Sequence, residues 1–232
     1  GKSISHRRSE FYLTTKCGCP VGAPPAVRDH LYTRENIVAG VNQSLARIKT
    51  DHLDAVQFHG PPPAEAIDEA IQTLRDLKSE GKIRFLGVSS SEPHLADDIA
   101  RDVYDVFQIP YSALEREHED WISKAADAGI GIIVRGGAAQ GEPGHGEGEV
   151  DLWQKFEEAG LDALREEGES RTSFILRFTL THPQIHTTIV GTQNIDHLNE
   201  NVAAAQRGPL SPDTYLEAKR RLAAVGVTPA KA

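Results

Sequence analysis

Residues 51–63 read DHLDAVQFHGPPP. Leu53 to Phe58 is a short, mostly apolar run with the length of a buried strand. His59 ends it. Gly60 and Pro61 to Pro63 prevent its continuation, because proline has no N–H to give a ladder. An ionisable imidazole therefore stands where a buried strand gives way to a loop. If helices flank the strand on both sides, it belongs to a parallel α/β sheet, whose chemistry gathers at the carboxyl ends of the strands. A histidine in such a place can equally be a simple strand cap, so its neighbours decide.

Upstream, Phe11 to Thr15 is rich in β-formers, and Lys16 is read as its end. A Gly/Pro loop, CGCPVGAPP, leads to Thr33, which can cap a helix carrying Ile37, Val38, Val41, Leu45 and Ile48 at helical spacing. Downstream, Ala66, Ile67, Ala70, Ile71, Leu74 and Leu77 mark an amphipathic helix stopped by Gly81. Strands are predicted at Ile83–Val88, Val103–Ile109, Ile130–Val134 and Ile185–Val190. Between them lie a short helix opened by Pro93, one around Trp121 and Ile122, and two capped by Asp151 and Ser170. The second of those two carries Phe174, Ile175 and Phe178. A helix with Ile195, Leu198 and Val202 follows the last strand, and Ser211-Pro212-Asp213 opens a final one. Residues 136–149 (GGAAQGEPGHGEGE) are too glycine-rich for a stable helix and too long for a plain connection, which marks a functional loop or lid.

Six strands alternate with helices and no hairpin signal joins any pair, so the strands are parallel with helical crossovers. No GxGxxG opens a helix after a strand, which disfavours a dinucleotide-binding open sheet. The expectation is a (β/α)8 barrel of the triosephosphate-isomerase type, with residues 1–232 as one domain showing six of its strands. The chain starts at Gly1 and has no methionine. This adds the expectation that two β/α units precede it. The net charge of −9 argues against a nucleic-acid partner, which would want a basic stripe. No apolar run reaches membrane-spanning length, and no secretory leader is visible. Cys17 and Cys19 suit neither a disulfide nor a zinc set and read as small residues at a strand exit. The compartment read from them is the reducing cytoplasm. Ten histidines without metal-ligand spacing argue against a metal site.

Each strand end carries a polar or special residue: Lys16, His59, Ser89-Ser90, Gln108, Arg135 and Gly191-Thr192. Lys16 could depress a neighbouring acid's pKa, pair with a carboxylate or form a Schiff base, or simply reach solvent. His59 could donate a proton or orient a carbonyl. Ser89, Ser90 and Gln108 suit a carboxamide. Arg135 could stack on an aromatic ring. Gly136 and Gly137 could offer N–H groups to phosphates.

Together, Thr15-Lys16, LDAVQFHGP, GKIRFLGVSS, DVFQIPY, GIIVRGGAAQG and IVGTQNIDHLNEN resemble the aldo-keto reductase family in order and spacing. The resemblance implies hydride transfer from a nicotinamide cofactor to an aldehyde or ketone, with a small carbonyl compound as substrate. It makes Lys16 the lysine beside the proton-donating tyrosine and His59 the carbonyl-orienting histidine. Ser89, Ser90 and Gln108 fall on carboxamide-binding positions, and Arg135 on the ring-stacking one. Gly136, Gly137 and Gly141 fall in the pyrophosphate loop. Gly191, Thr192, Gln193, His197, Glu200 and Asn201 fall in the adenosine pocket. NADP is the expected cofactor, with NAD the other option, since Gly191 and His197 stand where many members have Lys and Arg. The family's catalytic aspartate and tyrosine lie ahead of the Lys16 strand, and Tyr111 does not replace the acid. The alternatives are a non-catalytic nucleotide-binding or regulatory member and a lysine Schiff-base lyase.

Overall fold

Six strands form one sheet in the order β1-β2-β3-β4-β5-β6. They are β1 (Thr14–Cys17), β2 (Leu53–Phe58), β3 (Ile83–Ser89), β4 (Val106–Pro110), β5 (Gly131–Arg135) and β6 (Thr187–Ile189). The computed structural model describes residues 1–22, 24 and 29–232. β1–β2, β2–β3, β3–β4 and β5–β6 pair in parallel, so the expected strand–helix alternation of the (β/α)8 type is present. The chain divides into two compact units, Gly1–Gln108 with Gly129–Gly131, and Ile109–Ala128 with Ile132–Ala232.

In the first unit, α1 (Arg34–Ile48), α2 (Ile67–Ser79) and α3 (Leu95–Ala100) follow the strands. Thr33 caps α1 by accepting from Asn36 N. Ile37 and Val41 are fully buried, each contributing roughly 1.5–3 kcal/mol of transfer free energy. Gly81 ends α2 with φ +76°, its N–H on Lys78 O at 3.0 Å. Lys16 does not end its strand, as expected, but lies inside β1, level with Gln57 of β2. Pro93 precedes α3 rather than opening it, the cap position being His94.

One carboxylate organises the amino ends of these strands. Asp54, buried in β2, accepts from Leu13 N at 2.7 Å and from Arg8 at 2.6 Å on one oxygen. Its other oxygen takes Arg84 at 2.9 Å. Burial alone would raise its pKa, but the Leu13 N–H and the two guanidinium groups outweigh it and hold the carboxyl below its usual range.

The second unit carries α4 (Glu119–Asp127), α5 (Val150–Glu158), α6 (Arg171–Thr181), α7 (Ile195–Arg207) and α8 (Pro212–Ala224). Ser170 caps α6 and Ser211 caps α8, as expected. Asp151 falls in the first turn of α5, behind Glu149 at the cap. Phe174, Ile175 and Phe178 of α6 are buried. The expected apolar stripe of α7 is not buried: Ile195, Leu198 and Val202 are 65%, 44% and 47% exposed.

A buried ionic knot ties α8 to the start of α4. Arg116 Nε donates to Glu119 at 2.7 Å, Tyr111 Oη donates to the same oxygen at 3.2 Å, and Lys219 closes on the other. Arg116 also reaches Lys219 O at 3.3 Å and Val227 O at 3.2 Å. Burial pushes Glu119 up, and the Arg116 and Lys219 contacts bring it below its ordinary 4.5.

Because the folded value is depressed, this contribution is present above about pH 4.5 and is lost as pH falls through the lowered folded value. Glu119→Ala, which leaves the Arg116 guanidinium buried and unpaired, is expected to cost about 3–5 kcal/mol. Denaturant unfolding at neutral pH checks the cost. The mutational difference should shrink in unfolding measured at progressively more acid pH.

Candidate active site and nucleotide pocket

Residues level with each other in a parallel sheet share a face, and alternate residues along a strand share one too. Lys16 is level with Gln57, Gln57 with Gly87, and Ser89 with Gln108. Lys16, Gln57, Gly87, Ser89 and Gln108 therefore stand on one face of the first unit's strands. Cys17, Phe58, Val88 and Phe107 take the opposite face and are buried. Glycine at 87 is a close-approach requirement, for a Cβ there would meet Val106 O at 2.6 Å and Gln57 Cγ at 3.0 Å.

Two amides on the Lys16 face are unusual. Gln57 is 1% exposed and its Oε1 has no partner among the described residues. Gln108 is 4% exposed and its Nε2 likewise has none. Buried polar atoms without partners are rare and call for a ligand or a functional reason. Gln57 was not singled out from the sequence. The available signal was one polar residue inside a buried strand, two positions before His59, at same-face spacing.

Ser90 is buried, and its hydroxyl donates to Asp98 of α3 at 2.6 Å, while its N–H donates to Gln108 O at 3.1 Å. Its proton is thus committed, leaving only its lone pairs to accept from a ligand. Burial raises the pKa of Asp98, and the Ser90 hydroxyl works against that rise. Lys16 is half-buried, and His59 is exposed just past β2, with its N–H on Cys17 O at 2.9 Å.

The second unit holds a cavity of about 850 Å³ lined by Arg135, Gly136, Gly137 and Gly141, and by Gly191, Thr192, Gln193, His197, Glu200 and Asn201. All the residues expected from the sequence in this unit meet in it. The glycine-rich loop is ordered. Gly148 N donates to Gly141 O and Glu147 N to Gln140 O, at 3.1 and 2.9 Å. Trp153 Nε1 of α5 holds Ala139 O at 3.0 Å, and Thr172 of α6 receives Glu142 N at 3.1 Å. Trp153 was not read from the sequence as a loop anchor.

Several features of the cavity suit an anion. Gly136, Ala139, Gln140 and Gly141 have φ between +47° and +81°; Ala139 N and Gly141 N donate to Gly136 O and Ala138 O inside the loop at 2.8 and 2.9 Å, so an anion would be met by other N–H groups of this stretch. The amino end of α7 opens on the cavity at Asn194, which caps it by accepting from Asp196 N at 2.9 Å. Two of the lining carboxylates are engaged, Glu142 with Arg171 at 3.0 Å and Glu200 with the hydroxyls of Ser170 and Ser173. The Gly/Pro loop CGCPVGAPP (17–25) lies partly outside the described residues, which lack 23 and 25–28.

The pattern that defines the Aldo/keto reductase family matches residues 1–220. The chain belongs to that family. The uncharacterized oxidoreductase YqkF of Bacillus subtilis is 29% identical over 229 residues, covering 92% of this chain and 74% of that protein. The aldo-keto reductase YhdN of the same organism is 34% identical over 145 residues, covering 61% of this chain and 43% of that protein. Among solved structures, the holo form of aldo-keto reductase AKR11C1 from Bacillus halodurans superposes with a TM-score of 0.80 at 27% identity. That match covers 95% of this chain and 76% of the other. No helix of the described residues is long and apolar enough to cross a membrane.

Trp153→Phe keeps the ring and deletes the N–H that holds Ala139 O. The expected cost is about 1 kcal/mol, confined to the loop. Hydrogen exchange of amides in residues 136–148 should quicken roughly fivefold, with the second unit's helices unchanged.

Proposed function

We propose that this chain carries out NAD(P)H-dependent reduction of aldehydes or ketones to alcohols, with residues 1–232 working as one aldo-keto reductase domain. The observation that carries the reading is Gln108 Nε2, a buried donor with no protein partner among the described residues, on the same face as Lys16. A nicotinamide carboxamide oxygen is the acceptor it lacks. Ser89, level with Gln108, offers a hydroxyl to the same amide, and Ser90, braced by Asp98, offers an acceptor.

In the second unit, Arg135 provides a planar cation for stacking on the nicotinamide ring. The amides of the loop from Gly136 to Gly141 and the amino end of α7 suit a pyrophosphate. Thr192, Gln193, His197, Glu200 and Asn201 form the adenosine side. NADP is the proposed cofactor and NAD its competitor, since His197 and Gln193 offer few cations to a 2′-phosphate. When bound, the reduced nicotinamide supplies the hydride that reaches the carbonyl carbon. His59 orients the carbonyl oxygen, and Lys16 places a positive charge that favours the developing alkoxide.

The alkoxide needs a proton, and the described tyrosines are otherwise placed. Tyr111 is buried and donates to Glu119, and Tyr32 donates to Gly60 O at 2.7 Å. Tyr104 and Tyr215 are buried, and Tyr12 is exposed ahead of β1. The 232 residues by themselves are therefore expected to bind cofactor and turn over slowly. A non-catalytic nucleotide-binding role is the second reading, which the same pocket supports.

Gln108→Ala is expected to weaken NADPH binding by roughly five- to thirtyfold, about 1–2 kcal/mol, followed by quenching of nicotinamide fluorescence. Affinity for adenosine 2′,5′-bisphosphate, which has no carboxamide, should stay unchanged. Equal effects on both ligands would remove Gln108 from the carboxamide site. Loss of near-ultraviolet nicotinamide absorbance with a panel of aldehydes separates reductase from binder: no turnover under saturating cofactor favours the second reading. His197→Arg should raise preference for NADPH over NADH by about tenfold or more, as a charge-assisted hydrogen bond does.

A further inference from the structure

Three side chains from separate stretches of the first unit converge beyond the carboxyl ends of β1 and β2. Cys19 lies two residues past β1, His59 one residue past β2, and His30 in the segment leading to α1. Their ligating atoms all lie within 4.8 Å of one another. Cys19 Sγ is 3.1 Å from His59 Nδ1, and the His30 and His59 rings are 5.0 Å apart between centroids. All three are exposed, so an incoming ion needs no opening of the fold.

The backbone carrying these groups is tied together. His59 N donates to Cys17 O at 2.9 Å, and Leu31 N to Gly18 O at 2.6 Å. The buried amide of Asn36 donates to Cys19 O at 3.1 Å and to Leu31 O at 2.7 Å, and accepts from Val21 N at 2.9 Å. Each ligand-bearing residue is thus within one residue of a main-chain group that is itself held.

We propose that Cys19, His30 and His59 form a binding site for a borderline-soft divalent cation of the zinc class, with a fourth position open to solvent. The donor set argues for that class. One thiolate and two imidazoles suit Zn²⁺, whereas Mg²⁺ and Ca²⁺ require oxygen ligands that none of the three supplies. A chain without methionine also lacks the usual axial ligand of a His₂Cys copper centre. Zinc–sulfur and zinc–nitrogen bonds of about 2.3 and 2.0–2.1 Å at tetrahedral angles separate donors by roughly 3.5 Å, within the spread found here. On binding, the Cys19 S–H bond breaks, its proton goes to solvent, and the sulfur–metal bond forms with no change of oxidation state. Cys17 stays outside the site, buried at the end of β1. The cluster is invisible to local spacing, because positions 19, 30 and 59 follow no metal-ligand pattern along the chain.

The test is a Co²⁺ titration of the whole 232-residue protein under reducing, metal-free conditions. The site predicts one Co²⁺ per chain, with a thiolate-to-cobalt charge-transfer band and tetrahedral ligand-field bands, displaced by an equivalent of Zn²⁺. Cys19→Ser should abolish the charge-transfer band. His30→Ala and His59→Ala should each weaken binding at least tenfold, with far-ultraviolet circular dichroism unchanged. A band that survives Cys19→Ser, binding indifferent to both histidine substitutions, or no saturable binding would overturn the site. These readouts involve no nicotinamide and no turnover, so they are separable from the reductase reading, with which the site shares His59: a cation held there occupies the carbonyl-orienting imidazole, and that role of His59 belongs to the metal-free chain.

Discussion

The carboxylate of Asp54 sets the first unit's strands against one another. It is buried at the second residue of β2 and satisfies Leu13 N just ahead of β1, Arg8 from the preceding segment and Arg84 from β3. A buried carboxylate is tolerable only with partners of this kind. Removing any of them would leave charge or a hydrogen-bonding group unmet. The contact therefore specifies register. Register in turn decides face, because a slip of one residue turns every side chain to the other side. With Asp54 in place, Lys16 is level with Gln57 and Ser89 with Gln108. The structural carboxylate and the site residues stand at opposite ends of the same short strands.

The second unit solves a different problem, which is how to hold a glycine-rich loop still. Its glycines allow the positive φ angles of its turns, but they also make the open loop entropically favourable. The loop is held by side chains from two helices that follow it, Trp153 of α5 and Thr172 of α6. A Cβ at Gly146 would meet Gln140 O at 2.6 Å, so the loop's turns pack on each other too tightly for any side chain there. Order without bulk suits a surface that phosphates approach closely.

Much of this is legible in the sequence. Pro61 to Pro63 and Gly81 bracket β2 and α2 so sharply that their boundaries follow from elementary backbone chemistry. The Thr33, Ser170 and Ser211 caps are equally local features. What failed was non-local. Lys16 looked terminal because a charge usually ends an apolar run, yet it pairs within the sheet beside Gln57. Ile195, Leu198 and Val202 have core periodicity, which reports amphipathicity but not whether anything lies against the apolar face. Ser90 remains a candidate ligand contact, but no sequence signal reveals that Asp98 of α3 takes its proton. Asp151 and Pro93 were each placed at a helix start that backbone geometry shifts by a residue or two. Gln57 and Gln108 differ only in what surrounds them. The second stands near the carboxyl end of its strand just before Pro110, where chemistry is expected, and the first reads as one polar residue in an apolar stretch.

Asn36 has a consequence for how this region can vary. Its side chain both gives two hydrogen bonds and takes one, and all three partners are main-chain groups of the loops around it. Aspartate has the same shape but no donors, so it would face two carbonyl oxygens with a negative charge. Glutamine has the same groups one methylene further out, off the positions of these three partners. Serine is too short to reach both sides. These three bonds place no demand on the side chains of the residues that supply the main-chain groups. The asparagine is not free, and natural variation among close homologues should be concentrated around a fixed position 36.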